Sequence, residues 1–390
     1  MKRLSWLLVI VLVLGLTGMA FANDKMDKVV ADEITYKPKV DVIITFAPGG
    51  NVNPHALGGK VRHQFGIING FSGTFPAKAI EALAKNPNVK RITAIREVEA
   101  YMNNGAPTVN APAAWNAGYT GNGITVAVVD TGIDDSHPAL AGRVTGWYDT
   151  VNGLSQPYDD HGHGTHCAGT VGSNDNYYKG IAPEVSLMGI KVLAADGSGY
   201  TDDIIAGVDY AVQHGADIIS MSLGGSAYTA PADDPLCVAV KNAWNSGVFV
   251  AIAAGNDGPR PKSIGSPGIE PTIMTVAAAD DQDDADWTND DIARFSSRGP
   301  TKYGDLKPDI AAPGAGIVSC EANTGGWVGM SGTSMATPHI AGIAALMLDA
   351  NSGLSPDDIK TILMNTANDL GEKWEAQGAG EADVWAAINY

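Results

Sequence analysis

The sequence has few cysteines and almost no long apolar stretches, and each shortage excludes a class of protein. Only three cysteines, Cys167, Cys237 and Cys320, occur in 390 residues. At most one intramolecular disulfide can form, which excludes a fold held together by disulfides. After residue 22 no stretch is apolar enough to span a bilayer. Charged residues make up 17% and apolar residues 45%, which is typical of a globular chain.

Basic residues are also scarce in most of the chain. Residues 104–390 carry 12 Lys and Arg against 35 Asp and Glu, whereas residues 23–103 carry 11 against 8. The acidic body argues against nucleic acid as a partner, because phosphate binding needs clustered Lys and Arg. A basic segment ahead of an acidic body indicates two units whose fields attract each other.

Residues 1–22 have the pattern of a secretory signal peptide. Lys2 and Arg3 give a basic start, residues 7–16 are almost wholly apolar, and residues 20–22 form a small-x-small cleavage site. A membrane anchor is the alternative, but the apolar run is too short for one. We therefore predict a secreted, extracellular protein without a membrane anchor.

Residues 23–103 are predicted to form a small unit of their own. Residues 23–38 are polar and patternless, which favours a flexible leader, and residues 105–108 read as a linker. Between them, strand patterns at 40–46 and 89–95 flank an amphipathic helix at 77–85. A unit of this size folds only marginally alone, so we expect it to fold against a larger partner.

From residue 111 onward, apolar β-branched runs alternate with helical patterns. Continuous apolar strands separated by helices indicate an α/β fold, a doubly wound and mostly parallel sheet with helices on both faces. Active sites in such sheets lie beyond the carboxyl ends of the strands. The strand candidates are residues 124–129, 185–192, 218–222, 248–253 and 273–277, and the helix candidates are 164–172, 202–214, 235–246, 333–350 and 356–366.

Asp130 stands where a buried strand pattern ends, in Val128-Val129-Asp130-Thr131-Gly132. A carboxylate at that place can orient a catalytic base. It can equally be a turn or helix-cap Asp. The motif alone leaves both interpretations open.

Three histidines occur within six residues, at positions 161, 163 and 166, interleaved with glycine and Thr165. Some of them can be solvated loop residues. A second alternative is a metal cluster, but such a motif normally carries Asp where Thr165 stands and needs further ligands downstream. No second compact histidine cluster follows.

Ser334 follows two glycines and precedes a buried-looking helical pattern. A serine at a helix N-terminus lies where free N–H groups favour a developing oxyanion, although it can also be a plain helix cap. Ala336 in place of glycine, together with the chain order Asp, His, Ser, excludes the nucleophile elbow of α/β-hydrolases.

Together these segments resemble the subtilisin-like serine protease (subtilase) family over roughly residues 111–390. Further motifs of that family match residues 253–256, 197–199, 222–225 and 111–121. Cys167, one residue after His166, is typical of proteinase K-like members. His163 is chosen among the three histidines because it begins the family's His-Gly-Thr-His tetrad.

The resemblance implies a serine endopeptidase that works through an acyl-enzyme and needs no cofactor for catalysis. Asp130, His163 and Ser334 would form the triad, and Asn256 would help to bind the oxyanion. Protein or peptide substrates are expected, with broad specificity that favours large apolar side chains. The implied substrate-binding residues are Gly197, Ser198, Gly199, Ser222, Leu223, Gly224, Ala253 and Gly255.

The resemblance also implies a zymogen. Residues 23–103 are similar in position, size and pattern to the family's α/β-plait (ferredoxin-like) propeptides, which act as intramolecular inhibitors and folding helpers. Residues 104–390 would form the catalytic domain, as a monomer. Self-cleavage is expected near residues 99–105, with Tyr101, Met102 and Asn103 as candidate last residues of the propeptide.

Structural metal binding stays open. The family's usual Ca²⁺ ligand is absent, because Ala139 follows His137-Pro138, and residues 173–179 look shortened. The acidic stretch of residues 280–291 suits structural Ca²⁺ and equally suits a solvated loop. A catalytically inactive, peptide-binding relative and a metallohydrolase are the alternative functions.

Overall fold

We describe a computed structural model of the chain, which covers residues 25–100, 109–282 and 286–390, without the side chains of residues 97–100. The predicted signal peptide, the predicted linker and the candidate cleavage residues lie outside the described residues. The chain divides into two compact units. The first holds the described residues up to Arg96 together with Asp233–Pro235, and the second holds the rest.

The first unit is an antiparallel sheet with helices. Its strands run in the order β2-β3-β1-β4. Its apolar core includes Val42, Phe75, Ile80 and Ile92, all buried. The elements are α1 Lys28–Glu33, β1 Lys39–Phe46, a 3₁₀ helix at Pro54–Leu57, β2 Lys60–Phe65, β3 Gly70–Pro76, α2 Ala77–Ala84 and β4 Val89–Ala94.

The prediction of a flexible leader over residues 23–38 is wrong for its described part. Residues 28–33 form α1, and Val30 on this helix is fully buried. Asp27 begins the helix by accepting the N–H of Val30 at 2.9 Å, while its other oxygen accepts the Ala94 N–H at 3.0 Å. A single capping carboxylate therefore fixes a polar segment to β4, which periodicity in the sequence could not reveal.

The second unit is built on the expected parallel sheet. Its strands run in the order β14-β13-β12-β10-β6-β8-β7, with β15 beside β13, and only the β13–β14 pair is antiparallel. The strands of this sheet are β6 Thr125–Asp130, β7 Val144–Asp149, β8 Ser186–Lys191, β10 Ile218–Met221, β12 Phe249–Ala253, β13 Met274–Asp280, β14 Asp291–Ile292 and β15 Ile310–Pro313.

The five predicted helices of the second unit are present within one residue of their predicted bounds, whereas the helices Ala111–Asn116, Trp374–Gln377 and Val384–Ile388 were not among the helix candidates. The long helix over residues 333–350 is buried almost throughout, which explains its continuous apolar pattern. Among the described residues, no helix combines the length and apolar composition needed to cross a bilayer. The helices are α3 Ala111–Asn116, α4 His163–Gly172, α5 Thr201–Gln213, α6 Pro235–Asn245, α7 Thr333–Ala350, α8 Pro356–Thr366, α9 Trp374–Gln377 and α10 Val384–Ile388, with 3₁₀ helices at Pro231–Asp233 and Trp287–Asn289.

Two small sheets complete the second unit. β16 Ile317–Glu321 pairs with β17 Gly326–Met330, a hairpin that the sequence did not predict. Strand β5 (Glu97–Ala100) lies antiparallel between β9 (Ser198–Tyr200) and β11 (Leu223–Gly224). A segment ahead of the predicted catalytic domain therefore belongs to a sheet of the larger unit.

Candidate active site

Asp130 and His163 meet at the carboxyl end of the main sheet. Asp130 is the last residue of β6, and His163 is the first residue of α4. Their contact joins His163 Nδ1 to Asp130 Oδ1 at 2.7 Å, with both residues fully buried. The same oxygen accepts the Thr131 N–H at 2.7 Å. Because the carboxylate engages Nδ1, it fixes the orientation of the ring and leaves Nε2 for proton transfer.

Glycine allows α4 to begin this close to β6. A Cβ on Gly164 would lie 2.1 Å from the carbonyl oxygen of Gly132, so a side chain cannot fit there. Gly162 caps the helix with φ of 102°, a conformation that favours glycine. Thr131 Oγ1 accepts the Gly164 N–H at 2.8 Å and donates to Asp159 at 2.9 Å. The glycines of the histidine motif are thus explained by the close approach of two elements.

Two histidines on α4 have opposite electrostatics. Burial lowers the pKa of His163, but the charge of Asp130 and its hydrogen bond outweigh burial and hold the pKa well above the ordinary value. Burial lowers the pKa of His166 to about 3 and outweighs the backbone hydrogen bonds that raise it, among them the one between Nε2 and the Ile317 carbonyl at 2.9 Å. Of these two rings, only that of His163 can carry a stabilised positive charge.

Ser334 lies in the first turn of α7, after Gly332 at the helix cap. Its hydroxyl donates to the Ser222 carbonyl at 3.1 Å, and the Ser222 hydroxyl donates to the Ser334 carbonyl at 2.7 Å. The Cys167 thiol on α4 donates to the Ser334 carbonyl at 3.5 Å and lies 4.0 Å from His163 Nδ1. This thiol therefore contacts both the serine segment and the histidine.

The side chain of Asn256 is oriented by Thr333. Asn256 Oδ1 accepts the Thr333 backbone N–H at 3.0 Å and the Thr333 hydroxyl at 3.1 Å. These donors require an oxygen, so they settle which end of the amide is Nδ2. Within the described part of the chain, Nδ2 donates to no protein atom, which leaves it available for an anion beside Ser334. Sequence reasoning missed the role of Thr333, whose only signal was its place before the serine.

The predicted substrate-binding residues fall into two groups. Ser198 and Gly199 lie on β9, and Leu223 and Gly224 lie on β11, so these four flank β5 on its two sides. Gly197 forms the turn before β9, with φ of 80°. The remaining residues are Ser222, which contacts Ser334, Gly255, whose N–H donates to Thr333 Oγ1 at 3.1 Å, and Ala253, which is buried at the end of β12.

A cavity of about 300 Å³ opens beside Gly255. Small residues form half of its lining, while Asp257 and Arg260 are highly exposed at 71% and 74%. Among its cations, Lys302 donates to the Ala227 carbonyl at 3.2 Å. Its lining consists of Gly225, Ser226, Ala227, Gly255, Asp257, Arg260, Pro261, Lys262, Ser263, Ile264, Gly265 and Lys302.

The three clustered histidines do not form a common metal site. His163 binds Asp130 and His166 binds a carbonyl, so their ligand atoms point to different partners. Among the described residues, the only group of three metal-ligating side chains with atoms within 4.8 Å of one another is Asp130, His163 and Cys167. Burial raises the pKa of the Cys167 thiol, so a soft cation would have to displace its proton.

Known proteins resemble this chain along most of its length. The model of the subtilase family matches residues 121–380. "Serine protease AprX" of Bacillus subtilis (strain 168) is 41% identical over 391 residues, covering 89% of this chain and 87% of that protein. Subtilisin E of the same organism is 37% identical over 339 residues, covering 85% and 83%. Thermitase of Thermoactinomyces vulgaris is 37% identical over 289 residues, covering 73% and 95%. The chain belongs to the subtilase family of serine endopeptidases, which need no cofactor for catalysis.

Proposed function

We propose that this enzyme cleaves peptide bonds through Asp130, His163 and Ser334. Ser334 Oγ attacks the scissile carbonyl carbon, and His163 Nε2 takes the hydroxyl proton. The tetrahedral intermediate expels the amine, which receives that proton from His163, and an acyl-enzyme remains. Water then attacks the ester by the same route, and Ser334 regains its proton. The 2.7 Å contact between His163 and Asp130 carries the proposal, because it stabilises the imidazolium formed in each step.

The oxyanion is assigned to two donors. The Ser334 backbone N–H lies in the first turn of α7, where the N–H groups of a helix have no internal partner. Asn256 Nδ2 is the second donor, held by the two hydrogen bonds from Thr333 to the other end of the amide. Such preorganised donors stabilise the charge that develops in the transition state.

Active-site labelling tests this assignment. A serine-directed sulfonyl or phosphonyl fluoride is expected to modify Ser334 and abolish peptidase activity. Ser334→Ala should abolish both labelling and activity, whereas Ser331→Ala, three residues away on the same loop, should keep both. Activity that resists the fluoride and is lost with a chelator would instead support a metallohydrolase. Peptide binding without turnover would support an inactive relative.

We also propose that the chain is secreted as a self-processing zymogen, with residues 1–22 as signal peptide, 23–103 as propeptide region and 104–390 as a monomeric catalytic domain. The position of β5 supports this, because Glu99 pairs with Gly224 and Ala100 pairs with Leu223, both on a predicted substrate-binding strand. Ser222, beside Ser334, comes next in this register. We therefore favour Tyr101, among the three candidates, as the residue after which the chain is cut.

The mature N-terminus tests the processing proposal. The wild-type protein should begin at Met102, and a Ser334→Ala protein that has lost only its signal peptide should remain uncleaved when pure. Loss of about 100 residues from pure Ser334→Ala protein would contradict self-cleavage. Rescue of cleavage by adding catalytic amounts of wild-type enzyme would show that the site itself is accessible.

Two further properties belong to the proposal. Broad specificity for large apolar side chains is proposed from the small residues Gly225, Ala227 and Gly255 around the cavity, whose lining also includes the charged Asp257, Arg260, Lys262 and Lys302. Peptides that differ only in the residue before the cut should be cleaved faster with Phe or Leu than with Asp.

We also propose a structural Ca²⁺ ion that takes no part in catalysis, since the oxygen-rich acidic body suits this cation.

A further inference from the structure

A buried lysine lies behind the triad and takes no part in proton transfer. Lys191 is the last residue of β8, and its backbone pairs with that of Asp130, the last residue of β6. The side chain of Lys191 is fully buried, with an exposed fraction of 0%. Burying an ammonium group is costly unless its protons find partners in the protein. The partners of Lys191 therefore indicate what the fold gains from this residue.

Each of the three protons of the Lys191 ammonium group has an acceptor. Nζ donates to the Thr131 carbonyl at 2.6 Å and to the Leu193 carbonyl at 2.8 Å. The third acceptor is Asp160 Oδ1, also at 2.6 Å. The Tyr158 ring lies beside the cation, with its centroid 5.1 Å from Nζ. Because the Asp160 side chain is 35% exposed, the ion pair reaches from the interior to the surface.

The contact with Thr131 fixes the residue that holds the catalytic carboxylate. The Thr131 N–H donates to Asp130 Oδ1 at 2.7 Å, and Thr131 Oγ1 accepts the Gly164 N–H at 2.8 Å. Thr131 thus connects Asp130 to the first turn of α4, which begins at His163. A shift of the Thr131 peptide would move the carboxylate relative to the imidazole. Lys191 opposes this shift by binding the carbonyl of that peptide segment.

The other two contacts of the lysine reach neighbouring segments of the site. The Leu193 N–H donates to the Asp130 carbonyl at 3.2 Å, and Leu193 forms a bridge with Gly199 on β9. Asp160 stands three residues before His163 in the chain. One side chain therefore joins the end of β6, the segment after β8 and the loop before α4.

We propose that Lys191 is a positioning residue of the peptidase, which holds Asp130 and His163 in register through Thr131. It acts through other residues and touches no reacting atom. The inference rests on the triad of the proposed function and adds a residue that none of the motifs contains. Its contacts are made before the substrate binds, so they preorganise the site and should affect kcat more than KM.

Steady-state kinetics of Lys191→Met test this role, with the concentration of active sites fixed by complete titration with a serine-directed fluoride. The variant keeps an unbranched buried side chain but loses all three donors. Because misplacement of catalytic groups by about 1 Å can lower a rate by about 10²-fold, kcat should fall by about tenfold or more, with KM changed by less than about twofold. Lys191→Arg keeps the charge and the donors and should restore part of the rate.

Lys307→Met is the matched control, because it also removes a buried and paired ammonium group. Lys307 is 1% exposed and pairs with Asp309. Its Nζ donates to the Ile273 carbonyl, just before β13, at the end of the sheet opposite to the triad. Lys307→Met can lower the stability of the protein, but kcat per active site should stay that of the parent.

The pH dependence of kcat/KM gives a signature that a general loss of packing does not produce. Lys191→Met leaves Asp160 with an unpaired negative charge, so the pKa of His163 should rise and the acid limb should move to higher pH. Asp160→Asn leaves the positive charge of Lys191 unpaired, so the pKa of His163 should fall and the acid limb should move to lower pH. Each shift should be on the order of half a pH unit.

The proposal is overturned if Lys191→Met keeps more than half of the parent kcat, or if Lys307→Met loses as much. It is also overturned if the acid limbs of Lys191→Met and Asp160→Asn move in the same direction or not at all. Should Lys191→Met fail to fold, Lys191→Gln replaces it under the same limits. A parent protein that is neither labelled by the fluoride nor active would instead contradict the triad itself.

Discussion

Two buried carboxylates of the same unit, Asp130 and Glu381, have opposite surroundings. Asp130 Oδ1 accepts the Thr131 N–H and contacts a histidine whose positive charge it stabilises, although its other oxygen accepts no hydrogen bond among the described residues. Burial raises the pKa of Glu381 to about 10, and a side-chain hydrogen bond with Asp290 adds to the effect. A buried acid beside a titratable base can serve proton transfer, whereas a buried acid beside another acid is held in its protonated form.

The largest effect is expected when the Asp130 carboxylate is removed. Asp130→Asn keeps the shape of the side chain but no longer selects the tautomer of His163 or stabilises its charge, so kcat should fall by about 10⁴. Steady-state kinetics on a peptide substrate measure this loss. Exposed Asp291→Asn is the control, and Asp130→Asn protein with more than a tenth of the parent kcat would contradict the assignment.

A smaller loss is expected when the orienting partner of the amide is removed. Thr333→Val deletes the hydroxyl that donates to Asn256 Oδ1 at 3.1 Å. Because Asn256 Oδ1 is then held by the Thr333 backbone N–H alone, the amide is less firmly oriented, and kcat should fall by about tenfold with little change in KM. Asn256→Leu removes the donor altogether and sets the upper limit of this loss, since loss of the corresponding donor in a subtilisin lowers kcat by about 10²–10³. Thr333→Ser, which keeps the hydroxyl, should restore the rate, and equal losses in both Thr333 variants would rule out the orienting role.

The smallest effect concerns how pH acts on the two histidines of α4. The folded pKa of His166 is lowered to about 3, so its neutral burial stabilises the protein above pH 6.5, and that stability is lost as pH falls from 6.5 towards 3. The folded pKa of His163 is raised, so its contribution is present below pH 6.5 and declines as pH rises through the folded value. The two residues therefore weaken the fold in opposite pH directions.

Chemical denaturation of Ser334→Ala protein between pH 3 and 7 tests this difference. His166→Gln should make the free energy of unfolding fall less steeply with acid, by at most about 1.4 kcal/mol per pH unit. His214→Gln, at an exposed position, should leave the slope unchanged. If the free energy of unfolding of His166→Gln fell with acid as steeply as that of the parent, groups other than His166 would cause the loss of stability at low pH.

Much of the fold was predictable because its signals are local. Continuous apolar runs defined the central strands, and α7 and α8 begin and end where their patterns do. Helix α1 and the β16–β17 hairpin were missed for a common reason. Val30 is one buried residue in a polar segment, and β17 is only partly buried, so neither element shows a clear period.

The sequence by itself determined the family and the candidate triad, because Asp130, His163 and Ser334 lie in short motifs whose glycines and neighbours are readable in order. Only the tertiary structure decided that Thr333 orients Asn256 and that Glu381 faces Asp290. Glu381 and Asp290 are 91 positions apart in the chain. Such pairs depend on which strands become neighbours, and an isolated glutamate carries no local sign of where folding will bury it.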